Sequence, residues 1–333
     1  MSKKEVKQNT LREPAKKQAE VTEEMWLQVN EDYRLIAEEF VSVQDLSPAS
    51  RKQYTSVIRQ FGWYMVNSMS NKPFYKITKR DFLRYLSHIR DNRKMSSSAI
   101  SLRKSVISSL CNHIENIIAD EEENYKQFRN FTRGLPAIAR NRVYEKVKVT
   151  KDEYDMMMDV LKEDENWLGM AWLATAFRVG ARRSEIIQFK SEILDYEVPE
   201  GQNYVTSHTV RGKGRSLDGK NLQYMIPLDV IPHIKKWIDE RGYESDYIFT
   251  TRYGNEIKPM SAAWSDDFCS NTLSDILERR VNVHIFKNSC ITYLLESGVD
   301  INLVSKFVAH HNDISTTSIY DLRDFEDEKS KIF

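Results

Sequence analysis

The apolar residues of the first half of the chain recur at the spacing of amphipathic helices. Residues 23–43 carry apolar side chains three and four positions apart, which predicts a helix. Ser47 followed by Pro48 is typical of a helix start, because serine caps free N–H groups and proline fits the first helical position. Thr78 and the serines at 96–98 predict two further starts. This half is therefore predicted to be a set of short amphipathic helices.

The second half combines a buried helix with short strands. Thr150 is predicted to cap a helix, and the apolar run 167–177 predicts a helix in the core. Apolar and polar residues alternate at 193–196, 204–206 and 223–228, which predicts strands. Three glycines between the last two of these segments predict a hairpin with a long loop. Helical spacing returns from Ile231 onward. The predicted fold class is mainly α with a small antiparallel β-sheet.

Length and pattern together predict two domains. At about 100–200 residues per domain, 333 residues are enough for two domains and a short arm. The predicted divisions are an N-terminal arm with an extra helix (1–44), a helical domain (45–135), a linker (136–149) and a second domain with a C-terminal tail (150–333). The start of the arm is polar and lacks apolar periodicity, so it is predicted to be unstructured.

The charge is unevenly distributed along the chain. Lys and Arg total 49 and Asp and Glu total 49, so the formal net charge is zero. Residues 51–104 nevertheless carry 13 basic side chains and two acidic ones, whereas the segments before and after are net acidic. A basic block with a periodic apolar skeleton is typical of a folded DNA-binding face. The predicted DNA-binding residues are Arg51, Lys52, Arg59, Arg93, Lys94, Arg103 and Lys104.

Composition also excludes several classes of protein. No apolar run approaches the roughly 20 residues of a membrane-spanning helix, and the mean hydropathy is −0.57. The polar start argues against a secretory signal. Three widely spaced cysteines without a CxxC pair argue against a disulfide framework and a cysteine zinc site. The short apolar runs and the low mean hydropathy together predict that the protein has no membrane partner.

Three clusters place cations where they can bind an anion. Arg182 follows Gly180 at a predicted helix start, and its guanidinium fork suits an anion. Lys213 lies between two glycines at the predicted hairpin tip, a setting that suits an ammonium near a phosphate. His284 and Lys287 are three residues apart, so both can face one anionic group from a helix.

A fourth cluster contains two histidines and a tyrosine. His310 and His311 are adjacent and cannot share one helix face, which argues against a metal site of the HExxH kind. Tyr320 follows His311 by nine residues. In isolation each of the four clusters fits an ordinary structural role: a helix start, an exposed turn, a histidine at the edge of the core, or a surface tyrosine.

Taken in order, the clusters resemble the tyrosine recombinase (phage integrase) family. The matching elements are Gly-x-Arg-x-x-Glu, a Gly-Lys-Gly hairpin with a Pro-Leu strand end, His-x-x-basic, and His and Tyr nine residues apart. The resemblance covers about 150–325, and the helical domain before it is similar to the family's core-binding domain. It implies a catalytic domain after the linker, and two domains that form a C-shaped clamp around DNA.

The resemblance also implies the site residues. They are Arg182, Lys213, His284, Lys287, His311 and Tyr320, with Tyr320 as the nucleophile. Lys287 departs from the family pattern, which normally has a second arginine at this position. His310 occupies a position that is usually glycine, and a shift of one residue would exchange its role with that of His311.

The implied activity is site-specific DNA recombination through a 3′-phosphotyrosyl intermediate, for integration, excision or resolution of a mobile element or plasmid. The phosphotyrosyl bond conserves the bond energy, so neither a cofactor nor a metal is implied. The implied partners are a double-stranded DNA recombination site and three further copies in a tetramer, in the cytoplasm at the nucleoid. The tail after Tyr320 (321–333) is a hypothetical contact with a neighbouring subunit.

Two alternatives stay open from the sequence. The first is a relaxase-like enzyme that nicks and rejoins a single site, an interpretation that Lys287 favours. The second is a DNA-binding regulator without catalytic activity on the same scaffold.

Overall fold

The computed structural model describes residues 15–16, 19–140, 147–214 and 219–323. The chain divides into two compact units. The described residues up to Arg140 belong to the N-terminal unit, and those from Val147 belong to the C-terminal unit. Residues 1–14 and 17–18 of the predicted arm, 141–146 of the predicted linker, 215–218 of the predicted hairpin loop and 324–333 of the tail lie outside the described residues.

The N-terminal unit is built from helices. Its helices are α1 (Glu23–Leu27), α2 (Glu31–Val43), α3 (Pro48–Ser68), α4 (Lys79–Ser87), α5 (Ser97–His113) and α6 (Ala119–Glu121). Wider π-turns, His88–Asn92 and Ile114–Ile118, continue α4 and α5, and single 3₁₀ turns lie at Phe74–Lys76 and Glu123–Tyr125.

The predicted helix starts in this unit are confirmed. The Ser47 side chain accepts the N–H of Ser50 at 3.3 Å, and Pro48 begins α3. Thr78 and Asp81 form a reciprocal capping box at α4, in which each side chain accepts the backbone N–H of the other. Such caps satisfy N–H groups that have no partner inside the helix.

The predicted helix over 23–43 is in fact two helices. The break lies at Asn30, whose side chain accepts the backbone N–H of Tyr33 at 3.3 Å and so caps α2. Asparagine competes with the helix for backbone hydrogen bonds and therefore favours caps over helix interiors. Apolar spacing alone did not reveal this break because the apolar residues of α1 and α2 pack into one core.

Aromatic rings fill the core of the N-terminal unit. Tyr33 stacks on Phe74 with ring centroids 5.0 Å apart, and Phe61 meets Tyr85 edge-on at 4.8 Å. The Tyr33 hydroxyl donates to the carbonyl of Ile58 at 3.0 Å, so this buried polar group is paired. The unit therefore has a core of its own.

The C-terminal unit is also mostly helical. Its helices are α7 (Lys151–Glu163), α8 (Trp167–Val179), α9 (Arg183–Ile186), α10 (Ile231–Glu240), α11 (Ala262–Phe268), α12 (Ser274–Ile276), α13 (Val283–Glu296), α14 (Ile301–Leu303) and α15 (Ile314–Ser318). π-turns at Cys269–Leu273 and Val304–Ala309 extend α11 and α14, and a 3₁₀ turn lies at Ser191–Asp195.

The strands of this unit are short and pair antiparallel. They are β1 (Tyr204–Thr206), β2 (Val210–Gly212), β3 (Lys220–Leu222), β4 (Met225–Pro227), β5 (Thr250–Tyr253) and β6 (Glu256–Pro259). β1 pairs with β4, β2 with β3, and β5 with β6. The mainly α fold with small antiparallel sheets is confirmed.

Two details of the strand prediction were wrong. The segment 193–196 was predicted to be a strand, but Ser191–Asp195 is a 3₁₀ turn. The β5–β6 hairpin was not predicted, because every residue of β6 is exposed and its sequence shows no alternation of apolar and polar residues. Alternation marks a strand only when one face is buried.

Helix α8 is the centre of the C-terminal core. Most of its residues are buried, as its apolar run predicted. Phe177 stacks on Tyr154 of α7 with centroids 4.5 Å apart, and Trp172 meets Phe286 of α13 edge-on at 5.7 Å. Among the described residues, no helix is long and apolar enough to cross a membrane.

Gly180 ends α8 and reverses the chain toward α9. Its backbone is left-handed, with φ of 67° and ψ of 17°. A Cβ at this position would lie 3.0 Å from Cys290 Sγ and 3.1 Å from Val308 Cγ1. Glycine is therefore required here both for backbone conformation and for space.

We predict that Gly180→Ala lowers the free energy of unfolding more than Gly242→Ala does. Gly242 has a similar φ of 68° but open space around it, so its substitution isolates the backbone cost, about 1 kcal/mol. Crowding at Gly180 adds about 1 kcal/mol or more. Urea denaturation of the two full-length variants measures the difference. Equal losses would show that the space around Gly180 does not matter.

Candidate active site

Arg182 lies in the turn between α8 and α9, at the N-cap of α9. Its backbone N–H donates to Glu185 Oε2 at 2.7 Å, and its Nη1 donates to Glu185 Oε1 at 3.1 Å. The Arg182 side chain stays 27% exposed, whereas that of Glu185 is fully buried. The arrangement holds one edge of the guanidinium and leaves the rest of the cation accessible.

Glu185 is an ionised carboxylate inside the unit. Burial raises its pKa, but donation from the Tyr224 hydroxyl at 2.5 Å and from Arg182 outweighs burial, and the net pKa lies below its ordinary value. The charge of Lys287 acts in the same direction. Burial and the charge of Glu185 in turn raise the pKa of Tyr224. The sequence did not mark Tyr224, because nothing in its spacing relates it to Glu185.

Lys287 is buried in α13, where its side chain donates to a backbone carbonyl. The residue is 4% exposed, and its Nζ donates to the Ala309 carbonyl at 3.1 Å. Desolvation and the nearby charge of Arg182 lower the pKa of Lys287 to about 8, while Glu185 opposes them. A second cation therefore lies beside Arg182 but is poorly accessible.

The turn after Val304–Ala309 carries the two histidines. His310 has left-handed backbone, with φ of 53° and ψ of 39°. Lys220 of β3 donates to the His310 carbonyl at 3.2 Å and to Asn312 Oδ1 at 3.0 Å, so it connects the hairpin to this turn. Lys220 is a second site-lining residue that sequence reasoning missed.

His311 faces the tyrosine that the sequence marked. Its ring lies 5.0 Å from the ring of Tyr320, centroid to centroid, and its Nδ1 lies 3.0 Å from Thr317 Oγ1. Burial and the charge of Lys287 lower the pKa of His311 to about 4. The ring is therefore neutral at physiological pH, and its buried Nε2 has no hydrogen-bond partner among the described residues.

His310 points toward a different neighbour. Its ring meets the Tyr224 ring edge-on with centroids 4.6 Å apart. Burial and Lys287 also lower the pKa of His310 to about 4. Of the two adjacent histidines, His311 is the one whose ring contacts Tyr320.

Tyr320 is held by its backbone just after α15. Its carbonyl accepts the Thr292 hydroxyl of α13 at 3.0 Å, and its N–H donates to the Thr317 carbonyl at 2.9 Å. The side chain is half-buried. The phenol is thus carried by a short turn that is attached to α13.

His284 and Lys213 lie at more exposed positions. His284 is exposed in the first turn of α13, where desolvation and the charges of Arg183 and Arg182 lower its pKa. Lys213 is exposed just after β2. Within the described residues, contacts and nearby charges link Arg182, Lys287, His311 and Tyr320, whereas Lys213 on the hairpin makes no hydrogen bond or ion pair with any of them.

Three of the predicted DNA-binding arginines have partners within the N-terminal unit. Arg51 donates to the Val41 carbonyl at 2.5 Å and to the Gln44 carbonyl at 3.2 Å, at the end of α2. Arg59 pairs with Glu23 at 2.5 Å, and Arg103 donates to Gln60 Oε1 at 3.0 Å. These contacts tie neighbouring helices together.

The other four predicted DNA-binding residues differ in exposure. Lys52 and Lys94 are exposed, and Arg93 and Lys104 are half-buried. Lys104 lines a shallow hollow of α5 together with Arg140 and four serines, Ser101, Ser105, Ser108 and Ser109. A hollow lined by hydroxyls and two cations is chemically suited to phosphate.

The fold and the gathered residues define the class that the sequence resemblance implied, a tyrosine recombinase. Residues 148–326 match the phage integrase family, and residues 35–119 match its N-terminal SAM-like domain. The chain therefore belongs to the phage integrase family, and the prediction of a tyrosine recombinase is confirmed.

Relatives agree with this assignment. The chain is 58% identical to the SPbeta prophage-derived recombinase-like protein YomM of Bacillus subtilis (strain 168), over 99% of both chains. It is 24% identical to tyrosine recombinase XerA of Pyrococcus furiosus, over 86% of this chain and 88% of that one.

Solved structures share the fold. The XerH recombinase in a post-cleavage complex with a palindromic difH substrate superposes with a TM-score of 0.67 at 15% identity, covering 98% of this chain and 99% of that one. A lambda integrase dimer bound to a COC′ core site superposes with a TM-score of 0.63 at 15% identity, covering 91% of this chain and 81% of that one.

We predict that Glu185→Gln destabilises the protein most at neutral pH. The folded-state pKa of Glu185 is lowered, so its contribution to stability is present above the unfolded value of about 4.5 and is lost as the pH falls through the folded pKa. The expected loss at pH 7 is about 2 kcal/mol, as for hydrogen bonds to a charged group. Urea denaturation at pH 7 and pH 4 measures it, with exposed Glu244→Gln as the control. A loss that does not change with pH would contradict the prediction.

Proposed function

We propose that this chain is a site-specific DNA recombinase that cleaves and rejoins DNA with Tyr320 as the nucleophile. The observation that carries the proposal is the contact of the His311 and Tyr320 rings, 5.0 Å apart, in the unit that also holds the cations Arg182 and Lys287. Family membership supports the reaction, and the geometry supports the assignment of the residues. In the reaction, the Tyr320 oxygen bonds to a DNA phosphorus and the bond to the 5′-oxygen breaks.

The cations have the task of stabilising the negative charge that builds on the phosphate. Arg182 has a guanidinium that is partly exposed and fixed by Glu185, so it is ready to bind non-bridging oxygens. Lys287 adds positive charge next to it. The neutral His311 can donate a hydrogen bond to the same phosphate.

Two further residues have the task of proton transfer. A tyrosine hydroxyl has a pKa of about 10 in water, so Tyr320 must lose its proton as it attacks. The departing 5′-oxygen must gain a proton, a role that we assign to Lys213 on the hairpin. His284, at the exposed start of α13, assists proton transfer.

DNA is the proposed partner of both units. XerH is described with its difH substrate, and lambda integrase with a core site, which supports a double-stranded recombination site as substrate. We extend the proposal to a tetramer on two such sites and to a cytoplasmic location at the nucleoid. The predicted division into 45–135, a linker and 150–333 remains part of this proposal.

One observation favours a second candidate, a DNA-binding protein of this fold without catalytic activity. Lys287 is 4% exposed and donates to the Ala309 carbonyl, so its ammonium is directed to the protein rather than to solvent. A lysine also lacks the planar two-point contact of an arginine. This arrangement weakens the phosphate site that cleavage requires.

We predict that the protein forms a covalent adduct with a nicked suicide duplex and that Tyr320→Phe forms none. Denaturing electrophoresis of end-labelled DNA measures adduct formation.

Lys287→Arg is expected to form the adduct faster, because the guanidinium restores a bidentate contact and stays charged at every working pH. An adduct without strand exchange would indicate a nicking and rejoining enzyme. Absence of an adduct with intact DNA binding would favour the regulator.

We predict different effects for two cations of the N-terminal unit. Lys104→Ala should weaken DNA binding and reduce the slope of log K against log salt by about 1, with little change in stability. Arg51→Ala should lower the free energy of unfolding by about 1 kcal/mol, because two carbonyls at the end of α2 lose their donor. Salt titration of DNA binding and urea denaturation separate the two effects. If Lys104→Ala leaves the slope of log K against log salt unchanged, Lys104 does not contact a DNA phosphate.

A further inference from the structure

Tyr224 contacts both halves of the candidate site. It is 1% exposed and lies between β3 and β4. Its hydroxyl donates to Glu185 Oε2 at 2.5 Å, and its ring meets the His310 ring at 4.6 Å. Glu185 holds Arg182, and His310 directly precedes His311. One side chain therefore connects the arginine side of the site to the histidine side.

The backbone of Tyr224 is fixed by Ser207. Its N–H donates to Ser207 Oγ at 2.9 Å, and its carbonyl accepts the Ser207 N–H at 2.8 Å. The next residue, Met225, begins the pairing of β4 with β1. The phenol is thus carried by paired backbone rather than by a loose loop, which is what a precise support requires.

The Tyr224 hydroxyl is one of three hydrogen-bond donors to the Glu185 carboxylate. Oε2 accepts both Tyr224 and the Arg182 N–H, while Oε1 accepts the Arg182 guanidinium. A carboxylate with both oxygens engaged has little freedom to rotate. Without the hydroxyl, the carboxylate loses one of three donors and the guanidinium loses a fixed acceptor.

The ring of Tyr224 supports the other half of the site. His310 needs left-handed backbone, a conformation that costs free energy for a residue with a Cβ. The edge-on contact with Tyr224 and the Lys220 donation to the His310 carbonyl hold this turn. The direction in which His311 leaves the turn depends on that support.

We propose that Tyr224 is a positioning residue that orients the Arg182 guanidinium through Glu185 and steadies the His310–His311 turn with its ring. Its importance for cleavage rests on the proposed function. Its effect on Arg182 does not, because it is a property of the folded protein. The two are therefore tested by separate measurements on the same variants.

The test is Tyr224→Phe, which keeps the ring and removes the hydroxyl. Side-chain NMR of the full chain labelled with ¹⁵N-arginine reports the Arg182 Nη–H signal, identified by its loss in Arg182→Lys. We expect this proton to exchange with water about tenfold faster in the variant, as for a lost hydrogen bond to a charged group. Tyr243→Phe, which removes a hydroxyl paired with Thr250 Oγ1, is the matched control and should leave the signal unchanged.

A double variant tests the route through Glu185. In a Glu185→Gln background, Tyr224→Phe should produce no further acceleration of Arg182 exchange, because the two changes act on the same contact. Exchange in Tyr224→Phe equal to wild type would overturn the proposal. The proposal is also overturned if Tyr224→Phe accelerates Arg182 exchange by the same factor in the Glu185→Gln background as in wild type. Tyr224 would then act on Arg182 by a route other than Glu185.

The rate of adduct formation on the nicked duplex supplies the second measurement. We expect Tyr224→Phe to lower the first-order rate about tenfold while DNA affinity stays within about twofold, because misplacement of a catalytic group affects chemistry more than binding. If affinity and rate fall together, Tyr224 has a general structural role and the proposal is wrong. If wild type forms no adduct, the proposed function fails, and the exchange of Arg182 still decides the role of Tyr224.

Discussion

The interaction on which the C-terminal unit depends is the burial of the Glu185 carboxylate. An ionised carboxylate inside a protein is tolerated only when donors replace its lost water. Here Arg182 provides two donors and Tyr224 provides the third. Because those donors come from the turn before α9 and from the segment before β4, the requirement of one buried charge fixes the relation of two segments far apart in sequence. The same contacts keep the Arg182 guanidinium partly exposed and hold it in one orientation.

Two turns with left-handed backbone complete this arrangement. Gly180 turns the chain sharply enough for Arg182 to follow α8 directly, and His310 turns it so that His311 faces Tyr320. Gly180 itself lies against Cys290, which is one turn of α13 beyond Lys287. The site is therefore built where three packed segments meet, with Lys287 inside α13 and Arg182 in the short turn that leads into α9.

Much of this could be predicted from local signals in the sequence. Helix starts such as Thr78 with Asp81 depend on neighbours three residues apart, and the apolar run of α8 indicates a core helix by itself. Order and spacing also marked Arg182, Lys287, His311 and Tyr320. The contacts of Tyr224 and Lys220 span 39 and 90 residues, so no local pattern reveals them. Likewise the sequence cannot show whether Arg59 binds DNA or pairs with Glu23, because its charge suits both partners. The fold brings Glu23 next to it.

The left-handed turn at His310 has a consequence for how this chain can diverge. A β-branched or bulky residue is strongly disfavoured at a φ of 53°, whereas glycine and asparagine adopt it readily. Substitutions at position 310 are thus restricted to a few residue types. Among these, histidine adds an aromatic ring that packs on Tyr224, so positions 224 and 310 are expected to change together among descendants of this sequence. A lineage that replaces His310 loses one of the two contacts that favour tyrosine at position 224, the other being the hydroxyl donation to Glu185.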